Sequence, residues 1–180
     1  MNLQDLILLY KTWGEHQYDE SITQMSHGLQ SAHHAQASSA SPALTIAALL
    51  HDIGHLMELD RKSGDVNVEL NDKHDETGAE ILTQIFGPEV AEPVRLHVQA
   101  KRYLCTTDDN YYALLSPASI RSLEFQGGLM TQNEVEHFET LPYFADAVAL
   151  RKWDEAAKES DVSTPNFESY IPTMNAILRR

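Results

Sequence analysis

The chain has 180 residues, 42% of them hydrophobic, with 13 basic against 27 acidic side chains and a formal net charge of −14. That length can bury a substantial core within one domain, and the acidic balance argues against nucleic acid or an anionic membrane as partner, because both are drawn to positive fields. The single cysteine, Cys105, rules out a disulfide within the chain, and no apolar run reaches the roughly 20 residues that a membrane-spanning helix needs.

The N-terminal MNLQDLILLYKTWGEH has neither a basic leader nor a small-residue cleavage site, which points to a cytoplasmic protein. Within it Leu3, Leu6, Ile7 and Tyr10 recur at helical spacing and predict a first helix ending near Gly14. A second helix is predicted from about Glu20 through Ala37, with Ile22, Met25, Leu29 and Ala32 turned inward. Ser41-Pro42 reads as the N-cap and first residue of a third helix through Leu50, with Gly54 marking its end. The stretch from Lys62 to Lys73 is polar, lacks a period and reads as a loop. A helix continuing over Ala79 to Phe86 is stopped by Gly87-Pro88, and EVAEPVRLHVQAKRYL is helical by pattern, with Pro93 either starting it or kinking it. Ser116-Pro117 opens a helix that closes at Gly127-Gly128, and Thr131 with Glu134 forms a capping box. Pro142 opens a long helix through about Lys158, and Thr164-Pro165 opens the last. With no alternating strand and no repeat, the chain reads as all-α. The expected layout is one helical bundle over 1–180, with an N-terminal segment over 1–14, a core over 18–158 and a C-terminal helix over 165–178.

Chemistry concentrates in the histidines. His27, His51, His74 and His97 stand 24, 23 and 23 residues apart, each on a different predicted helix or at its end. One helix and a turn per interval would return the chain to the same end of a bundle, so that four imidazoles converge. Asp52 adjoins His51, and Asp154 lies on a late helix. Neutral imidazoles and carboxylates are what divalent metals take as ligands, and bundle cores are where such sites are assembled. The pair His51-Asp52 also sits at the negative end of a helix dipole, where a cation is favoured. His16, His33, His34 and His137 read instead as solvated surface histidines.

The pattern H…HD…D, filled by His27, His51-Asp52 and Asp154 with the doublet in the form HDIGH, resembles the HD-domain superfamily of metal-dependent phosphohydrolases. The resemblance covers roughly Tyr18 to Lys158. It implies an HD helical bundle with two metals in its core, one held by His27, His51, Asp52 and Asp154, the other by His74 and His97 with Asp52 bridging. Three further segments, HVQAKRYL, SIRSLEFQGGLM and RKWDE, resemble a smaller branch of the superfamily. Its members are mixed-valent di-iron oxygenases: myo-inositol oxygenase and the PhnZ-like dioxygenases that cleave phosphonates. That resemblance implies two iron ions, Fe(II)/Fe(III), with dioxygen as co-substrate. It also implies oxidative C–P cleavage of a 1-hydroxy-2-aminoethylphosphonate or its trimethylammonio relative, giving phosphate plus glycine or glycine betaine.

A phosphonate with close to two negative charges needs fixed cations inside so acidic a chain. Lys101 falls one helical turn past His97 and Arg151 one turn before Asp154, each on the face of a candidate ligand. Lysine offers a point charge and arginine a two-pronged contact. The family resemblance further assigns Ser119 and Gln126 to the substrate pocket, His55 to a supporting or substrate contact, and Glu20 to the substrate ammonium. It makes Tyr18 a residue able to cap an iron before substrate arrives. Trp13, Tyr18 and Tyr103 could form an aromatic cage for a methylated ammonium, although core packing suits Trp13 better. The expected partner is a small organophosphonate, bound by a monomer or small homo-oligomer. The rival readings are an HD phosphohydrolase of a nucleotide or phosphomonoester, a metal-dependent sensory module, and an oxygenase of an inositol-like substrate.

Overall fold

The computed structural model describes residues 1–17, 22–64 and 73–179, and these form helices joined by short turns, without a strand. Helix α1 (Leu3–Trp13) opens on a capping box in which Asn2 accepts from the Asp5 backbone and Asp5 accepts from that of Asn2. It ends at Gly14, where the periodicity stops. Thr23 caps α2 (Gln24–Ala37), so within the described residues this helix begins later than its pattern suggests; Glu20 lies outside them. Ser41 caps α3 (Pro42–Leu50) with Pro42 in its first turn.

The chain then turns through His51 and Asp52 into α4 (Ile53–Arg61). Gly54 is therefore inside a new helix and not the end of the old one. A Cβ at Gly54 would lie 2.2 Å from the carbonyl oxygen of His74, so glycine is there for a close approach of two backbones. Helix α5 (His74–Ile85) starts at His74 itself, earlier than the Ala79 of the sequence pattern. Of the loop expected over Lys62 to Lys73, residues 65–72 lie outside the described residues.

Helix α6 (Pro88–Thr107) starts at Pro88 behind Gly87 and runs on through Pro93, which neither opens it nor ends it. Pro93 sits in the second turn, where its missing N–H forfeits a single bond to the Glu89 carbonyl. Asp108 caps a short α7 (Asp109–Leu114) that the sequence pattern did not reveal. Ser116 caps α8 (Pro117–Phe125), and the Thr131–Glu134 box opens α9 (Gln132–Glu139) as its spacing predicts. Helix α10 (Phe144–Ala156) begins after Tyr143 rather than at Pro142, because Tyr143 takes a left-handed φ of 65°. The C-terminal helix is broken: a 3₁₀ turn over Phe167–Tyr170 leads into α11 (Ile171–Ala176), with Pro172 in its first turn unable to carry the backbone ladder across.

Helix α6 packs along α5 and α10, and α10 closes on α2 and α3. Leu6, Ile46, Leu50, Ile53, Leu82 and Leu150 are buried in the main core. Each such side chain contributes roughly 1.5–3 kcal/mol on leaving water. Smaller cores gather Leu96, Val135 and Phe138 beside α9, and Leu104, Tyr111 and Leu123 beside α7 and α8. Helix α6 takes part in all three, so the polar residues His97 and Lys101 on it are enclosed by apolar packing.

Candidate metal and anion site

Four of the expected ligands meet beside α10. His27 on α2, His51 at the end of α3 and Asp154 on α10 are almost fully buried, with Asp52 beside them. His27 Nε2 lies 3.2 Å from Asp154 Oδ1, His51 Nε2 lies 3.8 Å from it, and both imidazoles are 3.6 Å from Asp52 Oδ2. The two Nε2 atoms are 3.1 Å apart. The far side of each ring is already committed, His27 Nδ1 to the Ala157 carbonyl and His51 Nδ1 to that of Ala48, both at 2.8 Å. With Nδ1 donating in each case, Nε2 is the ring nitrogen that each imidazole turns toward the other and toward the two carboxylates, an arrangement that suits a shared cation. Asp154 Oδ1 is buried and accepts no hydrogen bond among the described residues. Such an oxygen beside two imidazole nitrogens and a second carboxylate fits a metal.

Asp52 turns its other oxygen to a second cluster. Oδ1 lies 3.7 Å from His74 Nε2 and 3.9 Å from His97 Nε2, and those two nitrogens are 3.2 Å apart. His97 Nδ1 donates to the Val94 carbonyl at 2.6 Å, again leaving Nε2 to face its neighbours. His55 joins this group more closely than a supporting contact requires. Its Nε2 stands 4.0 Å from Asp52 Oδ1, and its ring stacks on His74 with centroids 4.0 Å apart. The ligand atoms of Asp52, His55 and His74 all lie within 4.8 Å of one another, as do those of His27, His51 and Asp52.

The charges in this pocket are strongly biased. Burial opposes ionisation of both carboxyls, yet the imidazoles around Asp52 and the Arg151 guanidinium beside Asp154 hold each far below the ordinary carboxylate range. Burial works against a charge on His51 as well, but Asp52 and Asp154 outweigh it and raise the imidazole to about 9. His97 moves the other way: burial and the neighbouring His74 and His51 lower it to about 3, so it stays neutral, as a metal ligand must.

Lys101 and Arg151 lie next to this pair of clusters, both more than nine-tenths buried. Burial, together with the like charge of Arg151, brings Lys101 down from 10.5 to about 7. Its Nζ donates to Ser122 Oγ at 2.7 Å, and Ser122 Oγ donates to the Ser119 carbonyl at 3.1 Å. Arg151 is not the open fork that its helical position suggested. Nε donates to Tyr111 Oη at 2.7 Å, Nη1 grips Asp154 Oδ2, and Nη2 grips Glu155. It therefore orients Asp154 so that Oδ1 faces His27 and His51. Ser119 Oγ accepts from Lys158 Nζ at 2.8 Å and donates to Glu155 Oε2 at 3.1 Å. Gln126 ends α8 with Oε1 buried and unpaired among the described residues.

Other expectations resolve differently. Glu20 and Tyr18 lie outside the described residues. Tyr103 is not part of an aromatic cage: its ring packs on Phe138 and Phe144 and its hydroxyl donates to Glu139, in the small core beside α9. Trp13 packs on the main core and donates to Asp60. Of the four histidines expected at the surface, His16, His33 and His137 are exposed, while His34 is half-buried. Sequence reasoning missed Tyr111, Ser122, Glu155 and Lys158. Of these, Glu155 had a signal, since it continues the Arg151–Asp154 face of α10 at i+4, while Lys158 lies just past the end of that helix.

Residues 25–121 match the HD domain family. The chain is 44% identical over 173 residues to the hydroxymethylphosphonate dioxygenase of Gimesia maris, covering 96% of this chain and 86% of that one. It is 40% identical over 168 residues to the [1-hydroxy-2-(trimethylamino)ethyl]phosphonate dioxygenase (glycine-betaine-forming) of Leisingera caerulea, covering 92% and 84%. The family match spans the helices that deliver His27, His51, Asp52, His74 and His97, and both relatives extend on through Asp154's end of the fold in overall coverage. This chain thus belongs to the HD-domain family, in the branch that holds these two relatives.

Proposed function

We propose that this protein is a metal-dependent oxygenase that cleaves the C–P bond of a small 1-hydroxyphosphonate, using dioxygen. Two relatives are named as phosphonate dioxygenases, and both named substrates bear a hydroxyl on the carbon attached to phosphorus. The observation that carries the reading is a junction. Arg151 grips Asp154 of the first cluster, and through Glu155 it joins the serine-lined network that also holds Lys101 and Lys158. An anion bound at Lys101 and Ser119 would stand beside the metal ligands, which is what oxidation at the carbon next to phosphorus requires.

In this reading His27, His51, Asp52 and Asp154 hold one metal, and His74 and His97 hold the other, with Asp52 shared and His55 at its edge. A mixed-valent iron pair bound there would supply the electron transfer and dioxygen chemistry. The chain's own residues do the remaining work. The Ala157, Ala48 and Val94 carbonyls fix the tautomers of His27, His51 and His97, so that Nε2 is the ligand atom in each. Arg151 holds Asp154 in one orientation. Lys101 charges the pocket for the phosphonate, and Ser119 and Ser122 offer hydroxyls to its oxygens. Burial excludes bulk water and strengthens each of these contacts.

The reaction balances without a further reductant: hydroxymethylphosphonate and one dioxygen give formate and phosphate, and the aminoethyl and trimethylammonio analogues give glycine and glycine betaine. The test is phosphate release from iron-loaded protein with each of the three phosphonates, in air and under argon. Release in air alone, with one dioxygen consumed per phosphate, is expected, and the preferred substrate names the group on the hydroxylated carbon. Release from a phosphomonoester under argon, with none from any phosphonate, would place this chain among the family's hydrolases instead.

A further inference from the structure

Glu155 is a carboxylate of this network that belongs to neither metal cluster. Its carboxylate pairs with Arg151 Nη2 and accepts from Ser119 Oγ at 3.1 Å, from Lys158 Nζ at 2.9 Å and from the Ser116 backbone at 3.4 Å. Its side chain is only 11% exposed. These donors form a cradle for an oxyanion, and the oxyanion in that cradle belongs to the chain itself. Arg151 and Ser119 are also the residues a phosphonate beside Asp154 would use.

We infer that Glu155 is an internal stand-in for the substrate's anionic group, occupying Arg151 and Ser119 until a phosphonate displaces it toward Lys158. The inference rests on the phosphonate reading of the site. Its physical reason is desolvation: Arg151 is buried, and with Nε given to Tyr111 and Nη1 to Asp154, Nη2 is a buried cationic donor that also needs an acceptor. A carboxylate brings one charge and two oxygens, whereas a phosphonate brings up to two charges and three oxygens, so the ligand can outcompete the stand-in without being held too tightly to leave. Displacement takes only one of Arg151's three contacts, because Asp154 and Tyr111 keep the guanidinium in place. Lys158 lies on the more open side, at 18% exposure, and remains bonded to Glu155 as it swings.

The test is the affinity of metal-loaded protein for inorganic phosphate, the shared product, by calorimetry. Glu155→Gln keeps the shape and removes the competing charge, and should bind phosphate about tenfold more tightly, the worth of one charge-assisted contact. Glu155→Asp keeps the charge and should show no such gain. The KM for phosphonate should fall in the glutamine variant while product inhibition by phosphate deepens. Equal or weaker phosphate binding by Glu155→Gln would overturn the inference and leave Glu155 as scaffolding for Arg151. A crystal structure of the wild-type protein with phosphate decides the same point should the glutamine variant fail to fold. Glu155 moved off Arg151 supports the inference, and Glu155 still on both Arg151 and Ser119 with phosphate elsewhere overturns it. Failure of the oxygenase reading would show separately, as wild-type protein that releases no phosphate from any phosphonate in air.

Discussion

In the first cluster the side chains of His27, His51 and Asp154 are 0%, 1% and 2% exposed, whereas in the second His55 is 31% and His74 9% exposed, with His97 at 3%. The construction differs in the same sense. Both imidazoles of the first cluster are pinned through Nδ1 to backbone carbonyls of separate helix ends, and its carboxylate is gripped by Arg151. The second pins His97 to the Val94 carbonyl in the same way, but draws His74 from the first residue of α5 and His55 from the first turn of α4. A closed, pinned position suits a metal that stays put, and an open one suits a metal that must exchange ligands during turnover. Asp52 ties the two together, one oxygen facing each.

The most damaging way to break that comparison is Asp52→Ala. It removes the carboxylate that both clusters share, and metal content should fall from two per chain to nearly none. The loss of affinity should exceed the roughly 100-fold seen when a ligand's hydrogen-bond partner is removed. Elemental analysis of the purified variant measures it. Retention of either metal would mean that the clusters are independent and that Asp52 does not bridge them.

Arg151→Met separates the clusters by stability. It leaves Asp154 as a buried carboxylate without its cation, at a cost of about 3–5 kcal/mol to the metal-free fold. Urea unfolding of metal-free protein should show that cost, and metal bound at the first position should recover part of it. A change under 1 kcal/mol would mean that Asp154 does not depend on Arg151.

A matched pair of glycine variants addresses one cluster at a time. A Cβ at Gly28, beside His27, would lie 2.5 Å from the Leu49 carbonyl, and one at Gly54 would lie 2.2 Å from that of His74. Each alanine forces two backbones apart at a cost of roughly 1–3 kcal/mol. Gly28→Ala should weaken the first metal, and Gly54→Ala the second, in a two-step metal titration. The same step weakening in both variants would contradict the division.

Gly54 also shows where sequence reading reached its limit. The even spacing of His27, His51, His74 and His97 made the convergence of imidazoles legible, since helix-plus-turn intervals of one length bring residues back to one place. A glycine after an apolar helical run, however, reads the same whether it ends a helix or admits a neighbouring backbone, and only the position of His74 distinguishes the two. Helix α7 escaped notice because six residues give too few turns for a period to register. The network around Arg151 was half visible. Arg151, Asp154 and Glu155 share one face of α10 and Lys158 follows its end, but in sequence such a run of charges is indistinguishable from a solvated salt-bridge stripe. Its burial comes from α7 and α8, through Tyr111 and Ser119, which lie 40 and 32 residues away from Arg151.

The smallest expected effect concerns what the open side of the site is charged to receive. Lys101 has been lowered to about 7 by burial and by Arg151, so its cationic form is present below that pH and lost as pH rises through it. In the proposed reading the cation is the form that would hold a phosphonate. Wild-type kcat/KM should therefore decline on the alkaline side, by up to about tenfold per unit above the transition, while kcat stays level because bound substrate restores the charge. Lys101→Arg keeps its charge throughout this range and should flatten the profile. Lys101→Met should flatten it at a uniformly low kcat/KM with both metals still bound. An alkaline limb that survives in Lys101→Met would assign the titration to another group. Loss of metal from that variant would tie Lys101 to the clusters rather than to the anion beside them.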